Sequence, residues 1–375
     1  MTVINTRNAE TINIEQNGTY DVARYTTANV NMPAAPEIYR VFRIDNGKIT
    51  SSITTPFLPL PSSATDIGEY CYTTAYVNTP PSVLSGPIDL SSLTTVSGLY
   101  ACHYMFKSCT GITSVDLSSL TTISGMNGCG YMFQFCTGLT SFDLSSLTTL
   151  SGAGGGCQNM FSGCTGITSV DLSSLTTLSS TNACNAMFLE CTGITSVDLS
   201  SLATISGGSA CQNMFKNCTG ITSIDFCSLA TLSGMNCLSN MFYGCTNLSK
   251  VSFYALDTNS FGAYTNQFTN MLSGITGCTV HFPMRIQSTI GTWTTVTGGF
   301  NGTNTTVLFD IVCTLTGADT NTYIRSQKNS TSTATAWDNG GTLYYTSGTT
   351  EPAVSDTIYS DAECTVAVTT ISSIS

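Results

Sequence analysis

Six aspartates recur at a nearly constant interval through the middle of this chain, each between two apolar residues. They are Asp89, Asp116, Asp143, Asp171, Asp198 and Asp225. An apolar–Asp–apolar triplet indicates a short strand that buries the apolar pair and exposes the carboxylate. On parallel strands about 4.8 Å apart, six such carboxylates would form a ladder about 24 Å long. Two unit charges at that spacing repel by about 1 kcal/mol in water, a cost that duplication would keep passively or that hydrogen bonds, raised pKa values or bound cations would offset.

Serine hydroxyl groups follow most of these carboxylates two residues later in the chain, and four of them are candidate ligand groups. They belong to Ser118, Ser145, Ser173 and Ser200. Carboxylates and hydroxyls together suit a polar ligand such as a glycan, and carboxylate oxygens are the ligands that Ca²⁺ prefers. We therefore predict that the parallel strands form a concave face, where the carboxylates lie, and that this face binds a ligand. We predict no cofactor other than Ca²⁺. The alternative is a row of solvated carboxylates, held by serine partners and preserved by duplication.

The same residues are poorly suited to catalysis. Neighbouring carboxylates about 5 Å apart suit glycoside hydrolysis in distance, but identical environments do not separate an acid from a nucleophile. The chain has only two histidines, His103 and His281, to act as a base. We also find no glycine-rich phosphate loop and no Gly-x-Ser-x-Gly motif. The sequence therefore predicts no catalytic residue and no enzyme.

The aspartates belong to a repeated unit, and its period is set by Met-Phe pairs. These pairs start at Met105, Met132, Met160, Met187, Met214 and Met241, in steps of 27 or 28 residues. The segments 109–120 and 164–175 are identical. A fixed period of this length predicts a solenoid, in which each unit buries its apolar side against its neighbours.

Each repeated unit contains two different spacings of apolar residues. Val115 and Leu117 alternate with Asp116, which predicts a strand. Apolar residues at i, i+3, i+4 and i+7 predict one face of a short helix, as at positions 102, 105, 106 and 109. The sequence therefore predicts an α/β leucine-rich-repeat solenoid, with short parallel strands on its concave face and short helices on its convex face.

The pattern Met-Phe-x-x-Cys-Thr-Gly-Ile-Thr-Ser-Val-Asp-Leu-Ser, which begins at Met105, resembles the BspA-type leucine-rich repeat. The resemblance covers about half of the chain, roughly residues 86–283. It implies adhesion and recognition, and it supplies no catalytic residue. Because one solenoid fold serves many ligands, it does not identify the ligand.

Twelve of the 17 cysteines fall into two columns that keep the period of the repeat. One column contains Cys102, Cys129, Cys157, Cys184, Cys211 and Cys237; the other contains Cys109, Cys136, Cys164, Cys191, Cys218 and Cys245. Helical geometry would separate the two columns by about 10 Å, and neighbouring helices by about 8–10 Å, both too far for disulfides. We predict reduced, buried core residues, together with Met132 and Phe133. A metal site is disfavoured because no Cys-x-x-Cys pair exists.

The first 37 residues form a separate unit. Period-2 alternation on both sides of Asn17-Gly18 predicts a β-hairpin. The motif Asn-Gly-Thr-Tyr-Asp-Val at residues 17–22 is similar to a module of phage tail and fibre proteins. We interpret residues 1–37 as an attachment module, 38–86 as a proline-containing linker or cap, and 87–283 as a solenoid of six to seven repeats.

Residues 284–375 lose the repeat and become rich in β-type runs. The segment that starts at Leu343 also resembles small β modules of phage tail proteins. Trp337, Tyr344 and Tyr345 are candidates for stacking on sugar rings, with core residues of a small β-domain as the alternative.

Charge and composition argue against some classes of partner. The formal net charge of −11 argues against nucleic acid as a ligand. The sequence contains no run of about 18 apolar residues, so it predicts no membrane span. The first residues do not resemble a secretory signal. Buried free thiols favour assembly in a reducing cytoplasm.

Together these features predict a non-enzymatic recognition protein of a phage tail or fibre, assembled in the host cytoplasm and located on the virion. Its expected partners are a host-surface glycan or protein, other tail proteins and copies of itself in a trimer. A bacterial surface adhesin of the BspA type is the first alternative, and a structural spacer is the second.

Overall fold

The computed structural model describes residues 85–151, 154–261 and 266–283, then Ile286, Phe300 and residues 302–315, and short strands near both ends. Side chains are described only between residues 86 and 307, with the same gaps and a further one at Asp89.

Short strands make up the described structure. Near the N-terminus they are β1 (Ile12–Asn13), β2 (Thr19–Arg24), β3 (Tyr39–Asp45), β4 (Lys48–Ile49) and β5 (Asp66–Ile67). In the repeats they are β6 (Ser85–Asp89), β7 (Thr95–Val96), β8 (Gly111–Asp116), β9 (Thr122–Ile123), β10 (Ser141–Asp143), β11 (Thr149–Leu150), β12 (Ser169–Asp171), β13 (Thr177–Leu178), β14 (Ser196–Asp198), β15 (Thr204–Ile205), β16 (Ser223–Asp225), β17 (Thr231–Leu232), β18 (Lys250–Ser252) and β19 (Thr279–Pro283). The remainder are β20 (Thr306–Leu315), β21 (Asn321–Arg325), β22 (Thr335–Asp338), β23 (Gly341–Tyr345), β24 (Thr357–Tyr359) and β25 (Ala367–Ile374).

The first face of the solenoid consists of the strands that end in the repeated aspartates. These strands run parallel and in register, as the sequence predicts for a solenoid. They form three sheets, β6–β8–β10, β12–β14 and one that begins β16–β18–β19–β20. Val115 and its counterparts point inward because alternate residues of a strand face opposite sides.

A second parallel sheet forms another face, which the sequence analysis did not predict. Its two-residue strands are β7, β9, β11, β13, β15 and β17, each a threonine followed by a buried aliphatic residue. At its N-terminal end the same sheet continues through β5 and β4. Strands this short carry too little alternation to be recognised from sequence.

The predicted helices on the convex side are wrong. In their place lies a chain of overlapping turns, which we call the turn ribbon: residues 98–109 and their counterparts 125–136, 154–164, 180–191, 207–218 and 234–245. Alternate N–H groups close a turn to the residue three positions back, as Met105 does to Cys102 at 3.0 Å. The N–H groups between them donate to the next repeat, as Phe106 does to Met132 at 2.7 Å.

Left-handed residues recur every fourth position along the ribbon and explain why it is not a helix. Asn236, Asn240 and Gly244 have φ values of 55°, 54° and 73°. Such residues break a right-handed helix, and asparagine and glycine tolerate this conformation best. The ribbon still directs residues at i, i+3, i+4 and i+7 inward, so the apolar pattern that predicted a helix fits it equally well.

The core is a set of aligned columns of identical residues. Phenylalanines of the Met-Phe pairs stack with ring centroids 5.1–6.0 Å apart and planes within 6° of parallel. A glycine of each Cys-Thr-Gly sequence lets neighbouring units approach closely. A Cβ atom on Gly193, for example, would lie 2.4 Å from the carbonyl oxygen of Thr165.

Both ends continue from the solenoid sheets. β20 pairs parallel with β19, and β21 to β25 follow as antiparallel partners. The β-type runs expected in residues 284–375 are confirmed by β20 to β25. β1 pairs antiparallel with β2, which is the pairing of the predicted hairpin, but the Asn17-Gly18 turn lies outside the described residues.

Candidate recognition surfaces

The aspartate column extends along the first face. Asp116 is the register partner of both Asp89 and Asp143, and Asp171 is the partner of Asp198. The carboxylates of residues 116, 143, 171, 198 and 225 are exposed, whereas the side chain of Asp89 lies outside the described residues. The structure therefore places the predicted column on the surface.

Each of four carboxylates binds its own chain. The backbone N–H of Ser145 donates to Oδ1 of Asp143 at 2.9 Å, and the Ser145 hydroxyl donates to the same oxygen at 2.7 Å. The equivalent backbone N–H groups of Ser118, Ser173 and Ser200 donate to Oδ1 of the preceding aspartate at 2.9–3.0 Å. This is an Asx turn, which caps the end of the strand. Each aspartate thus closes the turn after its strand.

These hydrogen bonds affect acidity. The side-chain and backbone hydrogen bonds from Ser173 lower the pKa of Asp171, because they favour the carboxylate. The lowered pKa of Asp171 fits a structural cap at least as well as a ligand site.

The column changes at its C-terminal end, where the register partners are Asp225, Ser252 and His281. The Ser252 hydroxyl donates to Oδ1 of Asp225 at 2.7 Å. Asp225 reaches solvent, yet desolvation by its neighbours raises the pKa of its carboxyl group, and the hydrogen bond from Ser252 and the charges of Lys250 and His281 oppose this effect. Ser252 and His281 are buried, so this trio offers no accessible nucleophile.

No group of three or more His, Cys, Asp or Glu side chains is arranged to hold a metal ion within the part of the chain that the structure describes. In the ladder, the carboxylate oxygens that face solvent stand in a single row. Ca²⁺ prefers six to eight oxygen ligands around it, which a row does not provide. Binding of Ca²⁺ or of a glycan by the ladder stays a prediction.

The cysteine columns lie in the core behind the turn ribbon. All twelve column cysteines are buried, as are Met132 and Phe133. The cysteines that the structure describes are free thiols. The distances expected between the columns rested on helices and do not apply, because ribbon segments of neighbouring repeats lie at hydrogen-bonding distance.

One cysteine column hydrogen-bonds the ribbon of the preceding repeat. The Cys191 thiol donates to the carbonyl oxygen of Phe161 at 3.0 Å, and Cys136, Cys164, Cys218 and Cys245 repeat the contact at the same distance. Burial raises the pKa of Cys136, Cys191 and Cys245 to about 12. These thiols are therefore neutral donors that tie one repeat to the next.

An aromatic cluster on the ribbon was not recognised as a site from the sequence. The ring centroid of His103 lies 5.0 Å from that of Tyr100, 4.1 Å from that of Tyr104 and 5.4 Å from that of Tyr131. Desolvation and the nearby Lys107 lower the pKa of His103 to about 4, so the imidazole is neutral at physiological pH. The useful signal was the presence of aromatic residues where other repeats carry asparagine, glycine, serine or alanine.

The predicted sugar-stacking residues lie near the C-terminus. Trp337 is in β22, and Tyr344 and Tyr345 are in β23. Their side chains lie outside the described residues, so stacking on a sugar stays a prediction.

The repeats match a known family. The family model for the BspA type leucine rich repeat region matches residues 50–153 and 131–272, in six copies. These ranges cover more than half of the 375 residues. The chain belongs to the BspA-type leucine-rich-repeat family. No curated protein matches the chain.

The BspA-type match extends beyond the Met-Phe repeats at the N-terminal end. It begins at residue 50, ahead of the predicted solenoid start at residue 87, and includes β5, which joins the second sheet. Resemblance of the terminal segments to phage tail modules gains no support, since the match concerns the repeats alone. Within the described residues, no helix is long and apolar enough to cross a membrane.

Proposed function

We propose that this BspA-type repeat protein is a non-enzymatic adhesin that acts at a bacterial cell surface and recognises a partner through its solenoid. The family match over the repeats carries the proposal. Parallel strands on two faces and a turn ribbon, joined by hydrogen bonds between repeats, give side chains fixed positions along an extended surface. Repeat proteins use such surfaces for binding.

The chemistry of the described residues supports binding in preference to catalysis. Four repeated aspartates accept hydrogen bonds from their own turns. His103 is packed among tyrosines, and His281 is buried. A general base must reach the proton that it removes, and the burial of His281 works against such a role.

The tail-fibre role predicted from the terminal segments has no support from the family match, and the surface adhesin takes its place. The two functions share recognition but differ in location. Location also distinguishes an adhesin from an internal structural spacer.

Location is therefore the test. Gold-labelled antibodies raised against residues 87–283 would be applied to intact cells and to virus particles from the producing culture. Label on the outer face of intact cells is the expected result, and its loss in a gene-deletion strain is the control. Label confined to virus tails, or label seen only after the cells are opened, would overturn the proposal.

A further inference from the structure

The second sheet presents a grid of hydroxyl groups. In each of the strands β7, β9, β11, β13, β15 and β17 a threonine precedes a buried aliphatic residue, and a serine follows directly. Because alternate residues face opposite sides, the threonine and the serine point away from the core. We call these residues the threonine–serine face: Thr95, Ser97, Thr122, Ser124, Thr149, Ser151, Thr177, Ser179, Thr204, Ser206, Thr231 and Ser233. Their side chains are exposed or half-buried.

Backbone hydrogen bonds hold this grid in register. The N–H groups of Thr149 and Ser151 donate to carbonyl oxygens of the preceding repeat, those of Thr121 and Ile123, both at 3.1 Å. The six threonines are successive register partners along the sheet. Strand geometry then places neighbouring rows about 4.8 Å apart, and the threonine and serine of one row about 6.6 Å apart. The threonine–serine face is therefore periodic in two directions.

The face is also flat and stiff. Neighbouring phenylalanine rings of the core lie within 6° of parallel, which indicates that successive repeats stack with little rotation. Sheets without twist are unusual and are stabilised by stacking or by side-chain ladders. Threonine adds stiffness, because its branched Cβ restricts χ1. In the adjoining column, the hydroxyls of Thr121 and Thr148 donate to the carbonyl oxygens of Thr94 and Thr121 at 3.2 Å and 3.3 Å.

Neither charge nor an aromatic ring interrupts the face. The segments 94–97, 121–124, 148–151, 176–179, 203–206 and 230–233 contain only threonine, serine and aliphatic residues. The exposed aspartates lie on the first face instead. A charged ligand therefore has no counter-charge on the threonine–serine face, and a sugar ring has no aromatic ring on which to stack.

The size of the face argues against a protein as the ligand. Six rows about 4.8 Å apart and four residues wide make a surface of about 24 Å by 13 Å, or about 300 Å². A stable protein interface buries about 800 Å² on each partner, so the face is too small to hold a protein or a second copy of the chain by itself. A ligand that repeats in two directions at similar distances can contact every row in the same way, and such contacts reinforce one another.

We propose that the threonine–serine face binds ice. The surface of ice is a neutral, flat and periodic array of water oxygens, which donate and accept hydrogen bonds and repeat at distances comparable to those of the face. Serine and threonine hydroxyls also donate and accept, and the threonine methyl groups remove apolar area from water. The proposal goes beyond surface adhesion, because an adhesin need not bind ice and ice binding does not require a cell-surface location.

Partition into growing ice tests the proposal. Ice is grown slowly from a dilute solution of the full chain and an unrelated soluble protein of similar size, and both are measured in the ice and in the remaining liquid. Slowly growing ice excludes solutes that do not bind to it. We expect the chain to enter the ice and the reference protein to stay in the liquid. Ice crystals held just below the melting point should also become faceted in the presence of the chain.

Two pairs of lysine substitutions locate the binding surface. Thr149→Lys with Thr177→Lys places charges at exposed positions in the middle of the grid, and this variant should remain in the liquid, because charged groups are costly to strip of water. Thr140→Lys with Thr168→Lys is the matched control: both threonines are exposed beside strands of the first face, and this variant should still enter the ice. Thermal unfolding establishes that both pairs are folded. If the grid pair fails to fold, the single variant Thr149→Lys replaces it and should enter the ice less than the native chain.

Exclusion of the native chain from ice would overturn the proposal, and so would equal behaviour of the two lysine pairs. Exclusion from ice together with retention on crystalline cellulose or chitin, lost in the grid pair, would overturn it in favour of a crystalline polysaccharide. Exclusion from ice together with self-association in sedimentation, lost in the grid pair, would overturn it in favour of a second copy of the chain. None of these outcomes bears on where the protein is located.

Discussion

Buried thiols show how single residues stabilise this solenoid. Five cysteines of one column each donate to a carbonyl oxygen of the preceding repeat, so the column links repeats as well as filling space. The sequence predicted burial from the register of the columns, but not the hydrogen bonds. That contact requires ribbon segments at strand-like spacing, and helices would have kept them too far apart.

Thiol reactivity follows from burial. A thiol with its pKa raised to about 12, such as Cys191, is almost entirely protonated at about pH 8, and the thiolate is the reactive form. We expect the twelve column cysteines of the native protein to label at least about 100-fold more slowly than in denaturant, measured by mass spectrometry of each peptide. Cys227, which is half-buried, provides the internal comparison. Rapid native labelling of the columns would contradict the packed ribbon.

Two aspartates in the same column should respond to substitution in opposite directions. Asp171→Asn should lower stability near neutral pH, by about 0.5 kcal/mol or less, because the site is exposed and the amide accepts more weakly. Asp225→Asn should raise it, because desolvation disfavours the charged form. Urea unfolding at several pH values measures both effects.

The pH dependence has a definite sign for each. The folded pKa of Asp171 lies below its ordinary 3.8, so its contribution is present above 3.8 and is lost as pH falls through the lowered value. The folded pKa of Asp225 lies above 3.8, so the native protein loses stability as pH rises through the raised value, and the advantage of Asn should disappear below 3.8. Equal effects of the two substitutions would show that the column is uniform.

At the scale of elements, the turn ribbon marks the limit of prediction from sequence. Cys102, Met105, Phe106 and Cys109 are buried as the pattern required, but helices and four-residue turn ribbons share that pattern. Asparagine and glycine at every fourth position, as at Asn236, were the discriminating signal. The strands ending in aspartate were predictable because their alternation is long enough, whereas two-residue strands such as Thr122–Ile123 were not.

Left-handed positions on the ribbon should tolerate only certain substitutions. Glu190→Gly should stabilise the protein by about 1 kcal/mol, since Glu190 is exposed with φ of 62°. Gly274→Ala should destabilise it by about 1 kcal/mol or more, because φ is 80° although a Cβ atom would have room. Thermal unfolding of both variants is the measurement. Destabilisation by Glu190→Gly is what a helix interior would predict. That result would show that this segment is wrongly assigned to the turn ribbon.

At the scale of the molecule, the described hydrogen bonds between repeats join each repeat to its neighbours, so a whole unit should be removable. Deletion of residues 165–191 joins Cys164 to Thr192 and restores the Cys-Thr-Gly-Ile sequence. We expect a protein that still unfolds cooperatively. The slope of its free energy of unfolding against urea concentration should fall by about one repeat's share of the buried surface. Deletion of residues 165–178, which removes half a unit, should prevent cooperative folding. Similar behaviour of the two deletions would argue against a register-locked stack.

The segments of the turn ribbon are bonded to neighbouring repeats and are not helices. Magnetic couplings across hydrogen bonds, measured by nuclear magnetic resonance on the deuterated, isotope-labelled chain, test it at single bonds. In the structure the Ala186 N–H donates to the carbonyl of Gln212 at 2.8 Å. A coupling between the Ala186 nitrogen and the Gln212 carbonyl carbon is the predicted result. A coupling from Ala186 to the carbonyl carbon of Asn182, four residues earlier, is what a helix would give and would contradict the account.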